Sequence, residues 1–112
     1  MKILQRICLV IIVLLGLAAG FAKVFQIQSD VEYFSNAGFS LNFIVLLGIA
    51  HVIGAALILF SKSRILGAAV LAAAFLVSTV GIFLNGDLLF GIFSLVPPLL
   101  TLFVAKDVSS ER

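Results

Sequence analysis

The sequence has no tryptophan, one cysteine, one histidine and two prolines, and its 112 residues carry only seven basic and five acidic side chains. Each scarcity excludes something. Cys8 has no partner, so no disulfide can form within the chain and no cysteine pair is available for thiol oxidation. Neither a His pair nor a Cys–His spacing suits haem, iron–sulfur or zinc, so no metal site is expected, and no glycine-rich loop suits a nucleotide. These gaps argue against a self-contained redox enzyme. Charged residues make up 11% of the chain, against about a quarter in a typical soluble domain. A soluble monomer of this size has too few polar side chains to cover its surface. A net charge of +2 from scattered basic residues forms no basic stripe, which excludes a nucleic-acid partner.

What the chain has in abundance is apolar length. Hydrophobic residues make up 63% and mean hydropathy is +1.35. Uncharged runs occupy Ile7 to Ala22, Leu41 to Phe60, Ile65 to Leu84 and Leu88 to Ala105. Each approaches the roughly 20 residues that carry a helix across about 30 Å of hydrocarbon. Because the runs are continuous, with no alternation of period two, they do not suit β-barrel strands. The expectation is one all-α domain over residues 1–112, a transmembrane four-helix bundle with spans near 3–25, 41–60, 65–84 and 88–105.

Short connections order the spans. Ser61-Lys62-Ser63-Arg64 and Asn85-Gly86-Asp87 permit only antiparallel hairpins. Between the first two spans, Ser29 and Glu32 stand three apart as a capping box, Val31, Phe34 and Ala37 recur at helical spacing, and Gly38 follows as a left-handed cap. That pattern predicts a short interfacial helix over Asp30 to Ala37, with lipid as its neighbour. Lys2, Arg6, Lys62, Arg64, Lys106 and Arg112 fall on one side of such a topology, and Lys23 alone on the other with Asp30, Glu32 and Asp87. The positive-inside rule then puts both termini in the cytoplasm. Met1 to Ala22 also has the basic start, apolar middle and small-residue exit of a signal peptide, but the apolar run continues through Phe21, Val24 and Phe25.

In lipid, helices associate where small residues let backbones approach. Gly16 and Gly20 form such a pair on the first span, Gly48 and Gly54 lie on the second, and Gly67, Ala68, Ala69 and Ala72 line the start of the third. They suit a compact bundle within one chain and equally a homo-oligomer. Pro97 and Pro98 remove two backbone donors from the fourth span and free the carbonyls of Phe93 and Ser94, which predicts a kink.

His51 is the candidate for chemistry. It stands eleven residues into a run of twenty, where a charge costs about 2.5–3.5 kcal/mol on insertion scales, which favours neutral imidazole. It reads either as an intramembrane ligand or proton site, or as a structural histidine bonded to Ser78 or Thr79. Lys23, near the end of the first span, is the second candidate, with a stem able to snorkel to the headgroups. A direct bond to His51 is not expected, although a water or a small headgroup could bridge the two. Eight aromatic side chains, Phe21, Phe25, Tyr33, Phe34, Phe39, Phe43, Phe83 and Phe90, gather toward that same end. They suit an interfacial layer, or the mouth of a site for a ring-shaped lipid-soluble molecule such as a quinone. No carboxylate lies between Arg6 and Lys23, which argues against proton-coupled export of the kind small four-helix exporters perform with a first-span acid.

From Gly16 to Thr79 the chain resembles the DoxX-like family of small four-span bacterial membrane proteins. The resemblance is carried by GLAAGFAKVF at the end of the first span, the connecting segment YFSNAGFS, then GIAHVIGAALIL, and SRILGAAVLAAAFLVST on the third span. It departs from the family where His51 replaces a common glutamate, and where Phe39-Ser40 follows the connecting glycine in place of a proline. Histidine can still handle protons near neutral pH, but it supplies no fixed negative charge. The resemblance implies a bacterial inner-membrane location and an accessory or assembly subunit with membrane or peripheral protein partners and no catalytic residue of its own. A quinone-linked oxidoreductase subunit, with quinone as cofactor, and a small-solute carrier are the alternatives.

The charge asymmetry makes orientation directly testable. Cysteines introduced at Ser29 and Gly86 should react with an impermeant thiol reagent from outside the cell, whereas one at Ser63 should not; the reverse pattern would invert the topology.

Overall fold

The computed structural model describes residues 3–111, with side chains through residue 105. Six helices follow in order: α1 (Ile3–Val24), α2 (Gln28–Asn36), α3 (Leu41–Leu59), α4 (Arg64–Leu84), α5 (Leu88–Phe93) and α6 (Val96–Glu111). The described residues contain no strand. Contacts run α1 to α3, α3 to α4, α4 to α6 and α6 back to α1, so the long helices close into a ring. Four segments are long and apolar enough to cross a membrane, namely α1, α3, α4 and the stretch Leu88–Ala105. Ile12, Ile58, Leu71 and Val104 are fully buried where the ring meets, packed with Cys8, Ala55, Ala68 and Phe75.

Small residues set how closely the ring closes. A Cβ on Gly20 would lie 2.8 Å from the Gly48 carbonyl oxygen, and one on Gly48 would lie 2.8 Å from the Gly20 carbonyl oxygen. The backbones of α1 and α3 therefore touch. Gly16 packs under Leu71 of α4 and against Ala55 of α3, while Gly54 faces α4, where Leu71 is its neighbour. Gly48 and Gly54 thus serve different faces of α3, one toward α1 and one toward α4.

The connections satisfy the backbone groups that the helices leave open. At the end of α3, the Ser63 hydroxyl donates to the Leu57 carbonyl (2.8 Å) and Arg64 Nε to the Ile58 carbonyl (2.8 Å). Both α2 and α4 end in six-to-one closures through a glycine at positive φ. In the first, Gly38 (φ 98°) donates to Ser35 and Phe39 to Phe34, and in the second Gly86 (φ 83°) donates to Phe83 and Asp87 to Ile82.

Two expected boundaries differ. The connecting helix begins at Gln28, earlier than Asp30, and no capping box forms: Ile27 precedes it, and Glu32 accepts from Gln28 (2.9 Å) one turn away. The fourth span is not one kinked helix but two, α5 and α6, parted at Ser94 and Leu95. Pro97 and Pro98 instead occupy the first turn of α6, where a missing N–H costs no helical bond. The freed Ser94 carbonyl accepts from the Thr79 hydroxyl of α4 (3.2 Å).

The tightest of these approaches predicts a stability ranking. A Cβ on Gly67 would stand 2.4 Å from the Ile58 nitrogen and 2.8 Å from the Leu57 carbonyl carbon, backbone atoms that cannot swing aside. Gly67→Ala should lower unfolding stability in micelles by about 1–3 kcal/mol. Gly16→Ala, which meets the tip of the Leu71 side chain at 2.9 Å, should lose less. Wild-type stability of Gly67→Ala would contradict the contact.

Candidate functional site

His51 is fully buried in the middle of α3. Its Nδ1 lies 3.0 Å from the Leu47 carbonyl of its own helix. A neutral ring donating from Nδ1 to that carbonyl leaves a lone pair on Nε2, and Nε2 is buried with no hydrogen-bond partner. The ring edge meets Phe75 of α4, with centroids 5.1 Å apart. Neither expected partner is used. Thr79 Oγ1 is engaged with the carbonyls of Phe75 and Ser94, and Ser78 Oγ is itself buried and unpaired.

Lys23, 2% exposed, does not snorkel into open water. Val24 ends α1, the chain reverses through Gln26 at φ 55°, and α2 folds back over the lysine. The Lys23 ammonium lies 3.5 Å from Asp30 Oδ1 and 4.5 Å from the centroid of the Phe34 ring. Phe34, 5% exposed, is the buried residue of α2. A charge this enclosed requires its counter-ion, because removing one partner strands the other in a poor solvent. The structure does not bring Lys23 and His51 together through a direct hydrogen bond. Lys23 Cβ stands against Gly48, one turn from His51, while its ammonium points toward α2.

Around this pair the aromatic side chains join into one cluster. Tyr33 meets Phe34 and Phe90 edge-on, Phe34 stacks on Phe39, and Phe39 meets Phe43. Phe21 and Phe25 form a separate stack. A cleft of about 430 Å³ opens beside the cluster, with Lys23, Asp30, Tyr33 and Phe90 among its walls. A polar latch ties α2 to the turn after α4: the Tyr33 hydroxyl donates to Asp87, and Asn85 Nδ2 donates to the Tyr33 carbonyl (2.7 Å).

Residues 7–105 match the model of the DoxX-like family. The chain belongs to the DoxX-like family. No curated protein and no solved structure matches it. Family membership and the four apolar helices together make the chain a small multi-pass membrane protein.

In this DoxX-like protein, sequence reading singled out His51 and Lys23 but missed that Asp30 and Phe34 are the lysine's partners. Their signal lay in the seven- and eleven-residue separations from Lys23, which become contacts once a tight reversal brings α2 back over the end of α1. It also missed the bond from Thr79 to Ser94, the direct consequence of Pro98 lacking an N–H.

The latch predicts a titration. Partial burial, and then the neighbouring Asp87 carboxylate, raise the Tyr33 hydroxyl above its ordinary value of 10.0. With one tyrosine and no tryptophan in the chain, phenolate absorbance reports that group alone. Tyr33 should titrate above 10.0, and Asp87→Asn should move it back down. An unshifted tyrosine in the wild type would show the latch to be open in solution.

Proposed function

We propose that this DoxX-like protein is an accessory subunit of an inner-membrane complex, both termini cytoplasmic, that docks on a partner helix through its broken fourth span. The reading is supported above all by one carbonyl. Pro97 has no N–H to give the Phe93 carbonyl its helical bond, and Pro98 has none for the Ser94 carbonyl. Phe93 stands about 7.5 Å along the span from Leu88, at 1.5 Å per residue, and is 63% exposed. Backbone that departs from helix at membrane depth, as at Ser94 and Leu95, is tolerated where protein or a water-filled cavity covers it. A donor side chain from a neighbouring membrane protein would supply the missing bond. The fourth span is also the least enclosed of the four, with 22% of its residues buried against 50% for α4.

The bundle's other polar groups support a structural role for the same reason. Lys23 with Asp30, Tyr33 with Asp87, Asn85 with the Tyr33 carbonyl, and Thr79 with Ser94 all bind the chain to itself. No catalytic role is assigned to any of them.

A photo-crosslinking side chain placed at Phe93 or Leu99 in native membranes should yield one and the same protein adduct, absent when it is placed at Val10, which is equally exposed on α1. Lipid-only products, the same adduct at Val10, or an adduct of twice the chain's own mass would each overturn a hetero-subunit interface. The free Nε2 of His51 supports a second reading, the quinone-linked subunit. Quinone retained through purification and lost in His51→Ala would favour it, whereas solute flux into proteoliposomes above that of empty liposomes would favour a carrier.

A further inference from the structure

The cleft between the end of α1 and α2 holds polar capacity that the chain does not use. The Lys23 ammonium has three N–H donors. One is directed to Asp30 Oδ1 and a second is occupied by the face of Phe34, which leaves a third. Asp30 Oδ2 is shielded from solvent and has no partner, although the Asp30 side chain as a whole is 22% exposed. Lys23 and Asp30 both line the cleft, a donor residue beside an acceptor residue, and together they complement a ligand carrying an anionic and a cationic group side by side.

Its surroundings narrow the ligand. The volume, about 430 Å³, falls in the range of about 300–1,000 Å³ typical of small-molecule sites. The rim is apolar, with Ile27 and Phe90 lining the cleft and Phe25 and Leu89 exposed at the same end of the bundle. Lys23 is the second-last residue of a membrane-length helix, so this level is where hydrocarbon meets headgroups. Lys23 is also the one basic residue in a region that carries Asp30, Glu32 and Asp87. That excess of negative charge repels a purely anionic headgroup. A quaternary ammonium has no N–H to offer the Asp30 carboxylate, whereas a primary ammonium has three.

We propose that this cleft binds the headgroup of a phospholipid carrying a primary ammonium next to its phosphate, the phosphate on Lys23 and the ammonium on the Asp30 carboxylate. The apolar rim receives the start of the acyl chains. This inference is independent of the fourth-span interface.

The test uses the full chain, reconstituted into bilayers of equal parts phosphatidylethanolamine, phosphatidylcholine and phosphatidylglycerol, re-extracted in mild detergent, with the retained lipid identified by mass spectrometry. Phosphatidylethanolamine should be enriched at least threefold over each of the others. Asp30→Asn should abolish that enrichment, and Glu32→Gln, whose side chain bonds to Gln28 outside the cleft, should keep it. If Asp30→Asn does not fold, the double variant Lys23→Met with Asp30→Asn removes both charges together and should also lose the preference. Equal retention of the three lipids, enrichment of phosphatidylglycerol, or a preference that survives in the folded Asp30 variant would overturn the site. Water-soluble phosphoethanolamine that raises the melting temperature as much as the lipid does would overturn a membrane origin for the ligand.

Discussion

The contact of α1 with α3 through Gly20 and Gly48 is the constraint from which the rest follows. Lipid offers no hydrophobic reward for bringing two apolar helices together, so what remains is close packing, and that requires backbones without side chains between them. With a Cβ at either glycine the helices would separate. Because they do not, Lys23 comes to rest against Gly48 at the end of the bundle, and the next turn of α3 carries His51 inward rather than toward lipid. The placement of both candidate side chains is thus set by residues that have no side chain.

A second theme is the settlement of polar groups in a setting without water. Each departure from regular helix has a compensating donor or acceptor. Thr79 reaches the carbonyl freed by Pro98, Ser63 and Arg64 cover the end of α3, and glycines at positive φ close α2 and α4. Against that thoroughness the exceptions stand out. Among the described residues, Gln5 Oε1, Asp30 Oδ2, His51 Nε2 and Ser78 Oγ are buried side-chain atoms without a partner.

The long helices were legible because their length and continuous hydrophobicity admit one structure in a bilayer, and the short turns at Ser61–Arg64 and Asn85–Asp87 left one order for them. Gly38 could be read as a helix cap because only glycine adopts its φ without strain. Other details were not legible. Pro97 and Pro98 announced a disturbance, but whether they bend one helix or begin another depends on Thr79 standing opposite, a tertiary fact. The start of α2 was misread because Ser29 and Glu32 fit a local pattern that the reversal at Gln26 overrides. Lys23 looked like a residue bound for the headgroups because nothing local says that α2 will fold back over it, and His51's partner proved to be its own helix, an acceptor present in every sequence.

The turn between α3 and α4 bears on how the bundle holds together. Ser63 and Arg64 occupy carbonyls at the end of α3, and Gly54 and Gly67 seat each helix on the other, so the α3–α4 pair is held at its turn by groups of its own. The turn of this hairpin is thereby closed by its own residues, while α1 and the divided last span cover the faces that the turn leaves open.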